Sequence, residues 1–228
     1  MECIQSFLEK LEASPIASQV FDTKKDENSY HGLTISIGST PSLFHHKSPT
    51  ETPWWKDFCQ RHANDEILFE LHPGNYTMYD RQQLYTQACA SVEDIAGRVL
   101  TRVIGHYNDQ NRPNTIMMDA GATALTKEAT PQGGMAAIAN SKINDQVVEV
   151  YKMSQEVSMA RSKEPATTST TSVNLLEECP LGSLVNLLPN HSCLSAACFD
   201  KYYIIDDQTC QFAPDAVIVD EWEPVKGW

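Results

Sequence analysis

A glycine and two hydroxyl-bearing residues, Gly38, Ser39 and Thr40, follow one another within residues 37–42 (IGSTPS). This composition could hold a phosphate group. Gly38 allows a backbone to approach a ligand closely, the N–H groups after it can form an anion-binding nest, and Ser39 and Thr40 add hydroxyl donors. A plain strand-to-helix turn that is capped by Ser39 or Thr40 would explain the same residues. The segment therefore indicates either a phosphate cradle or a capped turn.

A second polar cluster occupies residues 70–76 (ELHPGNY), after a short apolar run. Polar and aromatic groups at the end of a strand are typical of sites in parallel sheets, and Gly74, Asn75 and Tyr76 are the candidates here. A Pro-Gly-Asn turn capped by His72 is the structural alternative. Because two such loops on successive strands would face the same edge of a sheet, we expect this loop to join the one at residues 37–42.

A histidine and a cysteine, His191 and Cys193, are separated by one residue within the segment LPNHSC (188–193). If that segment is extended, alternate side chains point the same way and both could bind one ion. Imidazole and thiolate ligands suit zinc, and two protein ligands would leave positions open for water or substrate, as a catalytic zinc requires. The alternative is a buried thiol beside a polar histidine.

An acidic residue also precedes a glycine turn in the segment MDAGATAL (118–125). Asp119 could orient a side chain of a site, although an aspartate that caps a turn is the commoner arrangement.

The first part of the chain has the pattern of a parallel α/β structure. Apolar spacing predicts an amphipathic helix over residues 2–13, short strands over 33–37 and 67–71, and a helix over 54–61 between them. A strand, a helix and a second strand in this order form the βαβ unit of a parallel sheet. Two strands are too few for a closed barrel, so residues 1–91 are predicted to be part of a (β/α) barrel.

The second part, residues 92–228, is predicted to be a mostly antiparallel β domain, because long helices do not separate its strands. A Ser/Thr-rich stretch near residues 160–173 is predicted to be an exposed insert. The predicted strands are 92–104, 115–118, 147–153, 184–188, 202–205 and 216–222.

Composition narrows the classes of function. The chain has 228 residues, with 30 acidic and 17 basic side chains and a formal charge of −13, which argues against nucleic-acid binding. An apolar run long enough to span a membrane is absent from the sequence, and Glu2 and Glu9 lie where a signal peptide needs basic and apolar residues. Seven cysteines without a CxxC pair indicate reduced thiols, so we expect a cytoplasmic protein.

The segments GSTPS, ELHPGNYTMYD, DAGATALTK and LLPNHSCLSAACFDKYYIID, with a terminal GW, occur in an order that resembles the eukaryotic-type D-serine dehydratases. That family is related to the D-threonine aldolases and, more distantly, to the alanine racemase fold. The resemblance covers about residues 30–228. It implies the C-terminal strands of a (β/α) barrel that binds pyridoxal phosphate, followed by an alanine-racemase-like β domain.

The resemblance also implies a function and a set of site residues. Members of the family are dimers that use pyridoxal phosphate and zinc to convert D-serine to pyruvate and ammonia. The residues implied to bind the cofactor phosphate are Gly38, Ser39, Thr40, Gly74, Asn75 and Tyr76, and those implied to bind zinc are His191 and Cys193.

Two departures from the family pattern bear on activity. None of the lysines matches the family's Schiff-base lysine motif, which lies early in the barrel, so no catalytic residue is nominated. The family's Ser-Gln/Glu-Glu-His-Gly segment is matched only by Ser154, Gln155 and Glu156, which are followed by Val157 and Ser158. We therefore expect a truncated form that is weak or inactive alone. The alternatives are a D-threonine aldolase-like lyase, which Cys193 disfavours, and a non-catalytic remnant that pairs with a full-length homologue.

Overall fold

The computed structural model describes residues 2–21, 33–38, 40, 53–62, 67–139, 143, 148–162, 173–206 and 216–225. The chain divides into two compact units, residues 1–76 and 77–228. The predicted division into a barrel segment and a β domain lies later, at residue 91, and as a functional boundary it stays a prediction. None of the helices in the described ranges is long and apolar enough to cross a membrane.

The first unit contains the predicted parallel strand pair. Strand β1 (Leu33–Gly38) and strand β2 (Ile67–His72) run parallel and in register from Leu33 opposite Ile67 to Gly38 opposite His72. Each strand is one residue longer than predicted. The helices of this unit are α1 (Glu2–Glu12), α2 (Ala17–Phe21) and α3 (Pro53–Arg61).

Apolar side chains from both helices and strands form the core of the first unit. Leu8 of α1 and Phe58 of α3 are fully buried, and they share one cluster with Phe21 and with Ile35 of β1. The amphipathic spacing of α1 and α3 accounts for this packing, because it places one apolar stripe of each helix toward the strands.

The second unit is built on a six-stranded antiparallel sheet, as predicted for this part of the chain. Its strands are ordered β5-β8-β3-β4-β7-β6 across the sheet. The two edges approach each other, since the Met135 N–H donates to the Val150 carbonyl at 2.9 Å. The strands are β3 (Val99–Asp109), β4 (Arg112–Met118), β5 (Ala136–Ile138), β6 (Val148–Met153), β7 (Ser158–Ser162) and β8 (Leu184–Pro189).

Alternation along the strands fills the inside of this nearly closed sheet. In β3, Val99, Thr101 and Val103 are buried, whereas the intervening Leu100 and Arg102 are exposed. This period of two buries one face of an antiparallel sheet and leaves the other in water. The inner cluster also contains Ile116, Met118, Val150, Ala160 and Leu187.

Short helices connect these strands, and a separate hairpin follows them. The helices are α4 (Arg81–Tyr85), α5 (Ala122–Leu125), α6 (Leu175–Glu178) and α7 (Ser192–Ala197). The hairpin pairs β9 (Tyr202–Ile205) with β10 (Ile218–Trp222) in antiparallel orientation.

Two predicted elements differ from the structure. The strand predicted over 92–104 begins only at Val99, because residues 92–94 form a 3-10 turn whose Asp94 carboxylate accepts the backbone N–H groups of Ala90 and Ser91. Residues 160–162 of the predicted insert belong to β7, and residues 163–172 lie outside the described part of the chain.

Candidate functional site

The ends of β1 and β2 bring the two predicted phosphate loops together within the first unit. Gly38, the last residue of β1, pairs with His72, the last residue of β2. Just beyond, the buried hydroxyl of Thr40 accepts the Asn75 N–H at 3.0 Å, across 35 residues of sequence. The parallel register explains this meeting, because both loops leave the same edge of the strand pair. Ser39 lies outside the described residues.

The space around the two glycines is open. Within the described part of the chain, and apart from the adjacent residues, a Cβ atom placed on Gly38 or on Gly74 would meet no heavy atom within 4 Å. Among the described residues, no acceptor contacts the N–H groups of Gly74 and Tyr76, and the Tyr76 side chain is half exposed. Open space, backbone donors and the nearby Thr40 hydroxyl fit an anionic group such as a phosphate.

In the second unit, the His-x-Cys segment is not extended. His191 is the residue before α7 and has an extended backbone, whereas Cys193 lies in the first turn of that helix. The prediction that both side chains project from one strand is therefore wrong. The cause is the buried carboxylate of Asp80, which accepts the Ser192 N–H at 2.8 Å and so stabilises the helix start directly after His191.

The imidazole of His191 contacts a carboxylate from a distant segment. His191 Nδ1 lies 2.9 Å from Glu128 Oε2, and the same oxygen accepts the Gln82 side-chain amide at 2.8 Å. Sequence reasoning missed Glu128, which is 63 residues away from His191 and has no motif of its own. The partially exposed imidazole keeps Nε2 available for a ligand, because its hydrogen bond uses Nδ1.

A buried network of hydrogen bonds lies beside His191 and is centred on the preceding residue, Asn190. The side-chain amide of Asn190, which is fully buried, donates to the carbonyl oxygens of Glu128 and Gly134, the latter at 2.9 Å. Its oxygen accepts the buried guanidinium of Arg81, which also donates to the Tyr85 hydroxyl at 2.9 Å. Asn190 and Arg81 thereby fix the backbone on both sides of the contact between His191 and Glu128.

Cys193 is exposed at the start of α7. Partial burial of the thiol and the negative charge of Asp80 raise its pKa above the ordinary value for cysteine. Within the described ranges, no group of three or more histidine, cysteine and acidic side chains is arranged to hold a metal ion. An imidazole that presents Nε2 and an exposed thiol are both donor types that zinc binds.

Asp119, directly after β4, joins the end of that strand to β3. Its carboxylate accepts the Arg102 N–H at 2.8 Å and the Thr101 hydroxyl at 2.6 Å. The following Gly121 lies against the backbone of the segment 154–157, where Ala122 N–H donates to the Ser154 carbonyl at 2.9 Å. Two segments that the family resemblance singled out, DAGATALTK and SQEVS, are therefore in direct contact.

Comparison with known proteins identifies the relatives of this chain. Residues 96–205 match the family described as "Putative serine dehydratase domain". The D-serine dehydratase of Schizosaccharomyces pombe is 32% identical over 197 residues, which are 86% of this chain and 41% of that protein. Over most of its own length, the chain is similar to the D-serine dehydratases. It spans less than half the length of this curated relative.

Solved structures support the fold of this chain. An alanine racemase-like protein from Idiomarina loihiensis matches 87% of this chain with a TM-score of 0.58 and 22% identity. The match covers 45% of the Idiomarina protein. D-threo-3-hydroxyaspartate dehydratase matches 86% of this chain with a TM-score of 0.60 and 22% identity, and the match covers 44% of the dehydratase chain. The predicted fold class, barrel strands followed by an alanine-racemase-like β domain, is confirmed.

Two of the solved structures of D-threo-3-hydroxyaspartate dehydratase are variants in which a histidine or a cysteine is replaced. One structure has alanine in place of a histidine, and another, in the metal-free form, has alanine in place of a cysteine two positions further along.

Proposed function

We propose that this chain is part of a D-serine dehydratase-like lyase, which converts D-serine to pyruvate and ammonia by β-elimination. The observation that carries the proposal is the His-x-Cys pair, His191 and Cys193, in a chain that is 32% identical to a D-serine dehydratase. The D-threo-3-hydroxyaspartate dehydratase variants support it, because their replaced histidine and cysteine have the same spacing. Dehydration of a β-hydroxy amino acid is common to both relatives' names.

The strand-end loops are the proposed site for the phosphate of pyridoxal phosphate. Gly38 and Gly74 leave space for it, the N–H groups of Gly74 and Tyr76 would donate to it, and Thr40 would fix the Asn75 loop through its hydrogen bond. When bound, pyridoxal phosphate supplies an electron sink for the charge that develops at the substrate Cα.

His191 and Cys193 are the proposed protein ligands of zinc. A zinc ion supplies a Lewis acid that makes the β-hydroxyl of D-serine a better leaving group. The protein's contribution is to hold the imidazole through Glu128 and to place the Cys193 thiol in the first turn of α7. Hydroxide leaves poorly at neutral pH, so the elimination needs this assistance.

We nominate no catalytic lysine in this chain, and we propose that it is a shortened form that is weak or inactive alone. A non-catalytic chain that pairs with a full-length homologue is the second candidate. Homodimeric assembly and a cytoplasmic location are further parts of the proposal.

A pyruvate-release assay and a zinc-binding titration on the purified chain test these proposals separately. With D-serine, pyridoxal phosphate and zinc, we expect little or no pyruvate from this chain alone. Pyruvate together with a borohydride-sensitive absorbance band would show that one of its lysines forms the imine, and would contradict the shortened-form proposal.

Zinc binding is measured by competition with a chromophoric chelator. We expect His191→Ala and Cys193→Ala each to weaken binding strongly, whereas Cys198→Ala, which removes another exposed cysteine at the end of the same helix, leaves it unchanged. Equal binding by all three variants would rule out the proposed zinc ligands.

A further inference from the structure

The hydrogen bond between Glu128 and His191 defines which ring nitrogen carries the proton. A carboxylate accepts hydrogen bonds and has no proton to donate. Since Glu128 Oε2 lies 2.9 Å from His191 Nδ1, the Nδ1 atom is the donor, and the lone pair of the neutral ring lies on Nε2. A metal-binding imidazole needs such a lone pair, and a second group that holds its other nitrogen is the usual arrangement.

Two other residues hold Glu128 in place. Gln82 donates to the carboxylate oxygen that contacts His191, at 2.8 Å. The backbone carbonyl of Glu128 accepts the side-chain amide of Asn190, the residue directly before His191. One segment therefore contacts the other both through its main chain and through its side chain.

The backbone that leads to Glu128 is strained. Thr126, two residues earlier, has a φ of +68°, which is costly for a β-branched residue. Such a conformation persists only where surrounding contacts enforce it, and it is typical of functional sites. The Thr126 N–H closes the end of α5 by donating to the Ala122 carbonyl at 3.1 Å, and the chain then turns toward His191.

We propose that Glu128 is a positioning residue, which fixes the tautomer and orientation of His191 so that Nε2 binds a divalent metal ion. This inference rests on the proposed function, because it takes His191 as a metal ligand. Glu128 does not touch the metal in this proposal and acts only through the imidazole. Gln82 is a second positioning residue, one step further out.

The test is the zinc affinity of the full chain and its variants, measured by chelator competition. We expect Glu128→Ala to weaken zinc binding about 10- to 100-fold, the range found when such supporting groups are removed. Glu128→Gln should lose less, because its amide oxygen can still accept the Nδ1 proton. Glu223→Gln, which makes the same charge change at an exposed residue on the second unit, should bind zinc like the wild type.

A spectroscopic measurement separates positioning from a general loss of structure. In ¹⁵N NMR of the metal-free chain, His191 should show the Nδ1–H tautomer, and Glu128→Ala should shift it toward the Nε2–H form that an unconstrained histidine side chain prefers. Gln82→Ala leaves the contact between Glu128 and His191 in place, so it should keep the tautomer and reduce zinc affinity by a smaller factor.

Two results would overturn the proposal. One is wild-type zinc affinity in Glu128→Ala while His191→Ala abolishes binding, which would leave the zinc site intact and remove the role of Glu128. The other is an unchanged His191 tautomer in Glu128→Ala. If instead His191→Ala binds zinc normally, the proposed function itself fails, and this outcome is distinct from the first two.

Discussion

Asp80 is a single buried carboxylate that stabilises the start of two helices. Its Oδ1 accepts the Gln83 N–H at 2.9 Å within α4, and its Oδ2 accepts the Ser192 N–H at 2.8 Å at the start of α7. Both bonds are fully protected from solvent, because Asp80 has no exposed surface. This residue connects the helix before the sheet with the helix that carries the candidate zinc ligands.

We predict that Asp80→Ala destabilises the chain by about 1 kcal/mol for each helix start that it uncaps. The midpoint of urea unfolding, followed by circular dichroism, measures the loss. Asp80→Asn keeps one acceptor oxygen, so its unfolding midpoint should lie between those of the wild type and Asp80→Ala. The exposed Asp220→Ala is the control and should unfold like the wild type. A wild-type midpoint for Asp80→Ala would contradict the capping role.

Asp119 gives a second prediction, which concerns pH. Its partial burial acts to raise its pKa, but the hydrogen bonds from the Arg102 N–H and the Thr101 hydroxyl outweigh this, so the pKa is lower than the ordinary value. A folded-state pKa below the unfolded one adds stability that is complete above the unfolded pKa, about 3.9. This stability is lost as the pH falls through the folded pKa.

We therefore expect Asp119→Asn to have a lower Tm than the wild type at pH 6 to 7. Below about pH 4 the difference should shrink, because the wild-type carboxylate becomes protonated as well. Thermal unfolding from pH 3 to 7 measures both curves. A Tm difference that stays constant across this range would show that the charge of Asp119 contributes nothing to stability.

At the scale of elements, Gly121 allows the turn before α5 to pack on the segment 154–157. A Cβ atom on Gly121 would lie only 2.5 Å from the Gln155 carbonyl oxygen and 2.6 Å from the Glu156 carbonyl carbon. Both contacts are with backbone, which has no side-chain torsion through which it could move away.

We predict that Gly121→Ala destabilises the second unit by about 1 to 3 kcal/mol, as overpacking does. The matched control is Gly97→Ala, whose added Cβ would meet its nearest atoms at an ordinary 3.9 Å. Chemical unfolding of both variants measures the difference. Equal unfolding midpoints for the two variants would mean that the Gly121 turn can move away from the segment 154–157 without loss of stability.

The elements that sequence patterns could predict are those whose burial is apolar. The pair β1–β2 followed from short apolar runs that end in glycine-containing loops. Helix α4 (Arg81–Tyr85) could not be found in this way, because its buried residues are Arg81 and Gln83. Strand β7 was missed because its sequence, SMARS, contains only small and polar residues around Met159, and its fully buried positions are Ser158 and Ala160.

In the candidate site, too, some features could be predicted from the sequence and others could not. Residue types were enough to select His191 and Cys193 as possible ligands. Their local conformation was predicted incorrectly, because the helix start after His191 depends on Asp80, 112 residues away. Glu128 was not found at all, since a contact between residues 63 positions apart leaves no periodic signal in one sequence.

At the scale of the whole molecule, the β9–β10 hairpin exposes apolar side chains on both of its faces, because Tyr203 pairs with Glu221 and Trp222 pairs with Tyr202. Tyr203, Val219 and Trp222 are each more than half exposed, although the hairpin is held by a 2.6 Å ion pair between Lys201 and Glu221. A two-stranded hairpin alone is at best marginally stable in water. Burial of these side chains against a second copy of the chain would stabilise the hairpin.

We predict that the chain associates with itself in a concentration-dependent manner, and that Val219→Lys shifts it toward the monomer. Sedimentation velocity over a range of concentrations measures this. Leu181→Lys, which changes an exposed leucine before β8 in the same way, should leave the association unchanged. Monomeric wild-type chain at all concentrations would contradict the prediction.

The contact between Asp80 and Ser192 also has a consequence for the order of folding. It joins residues 112 positions apart, and the whole six-stranded sheet lies between them in sequence. Closing so long a loop costs chain entropy that is recovered only after the intervening strands have paired. The start of α7, with both candidate zinc ligands, therefore forms late, and zinc captured at this site during refolding would report chains whose sheet is already complete.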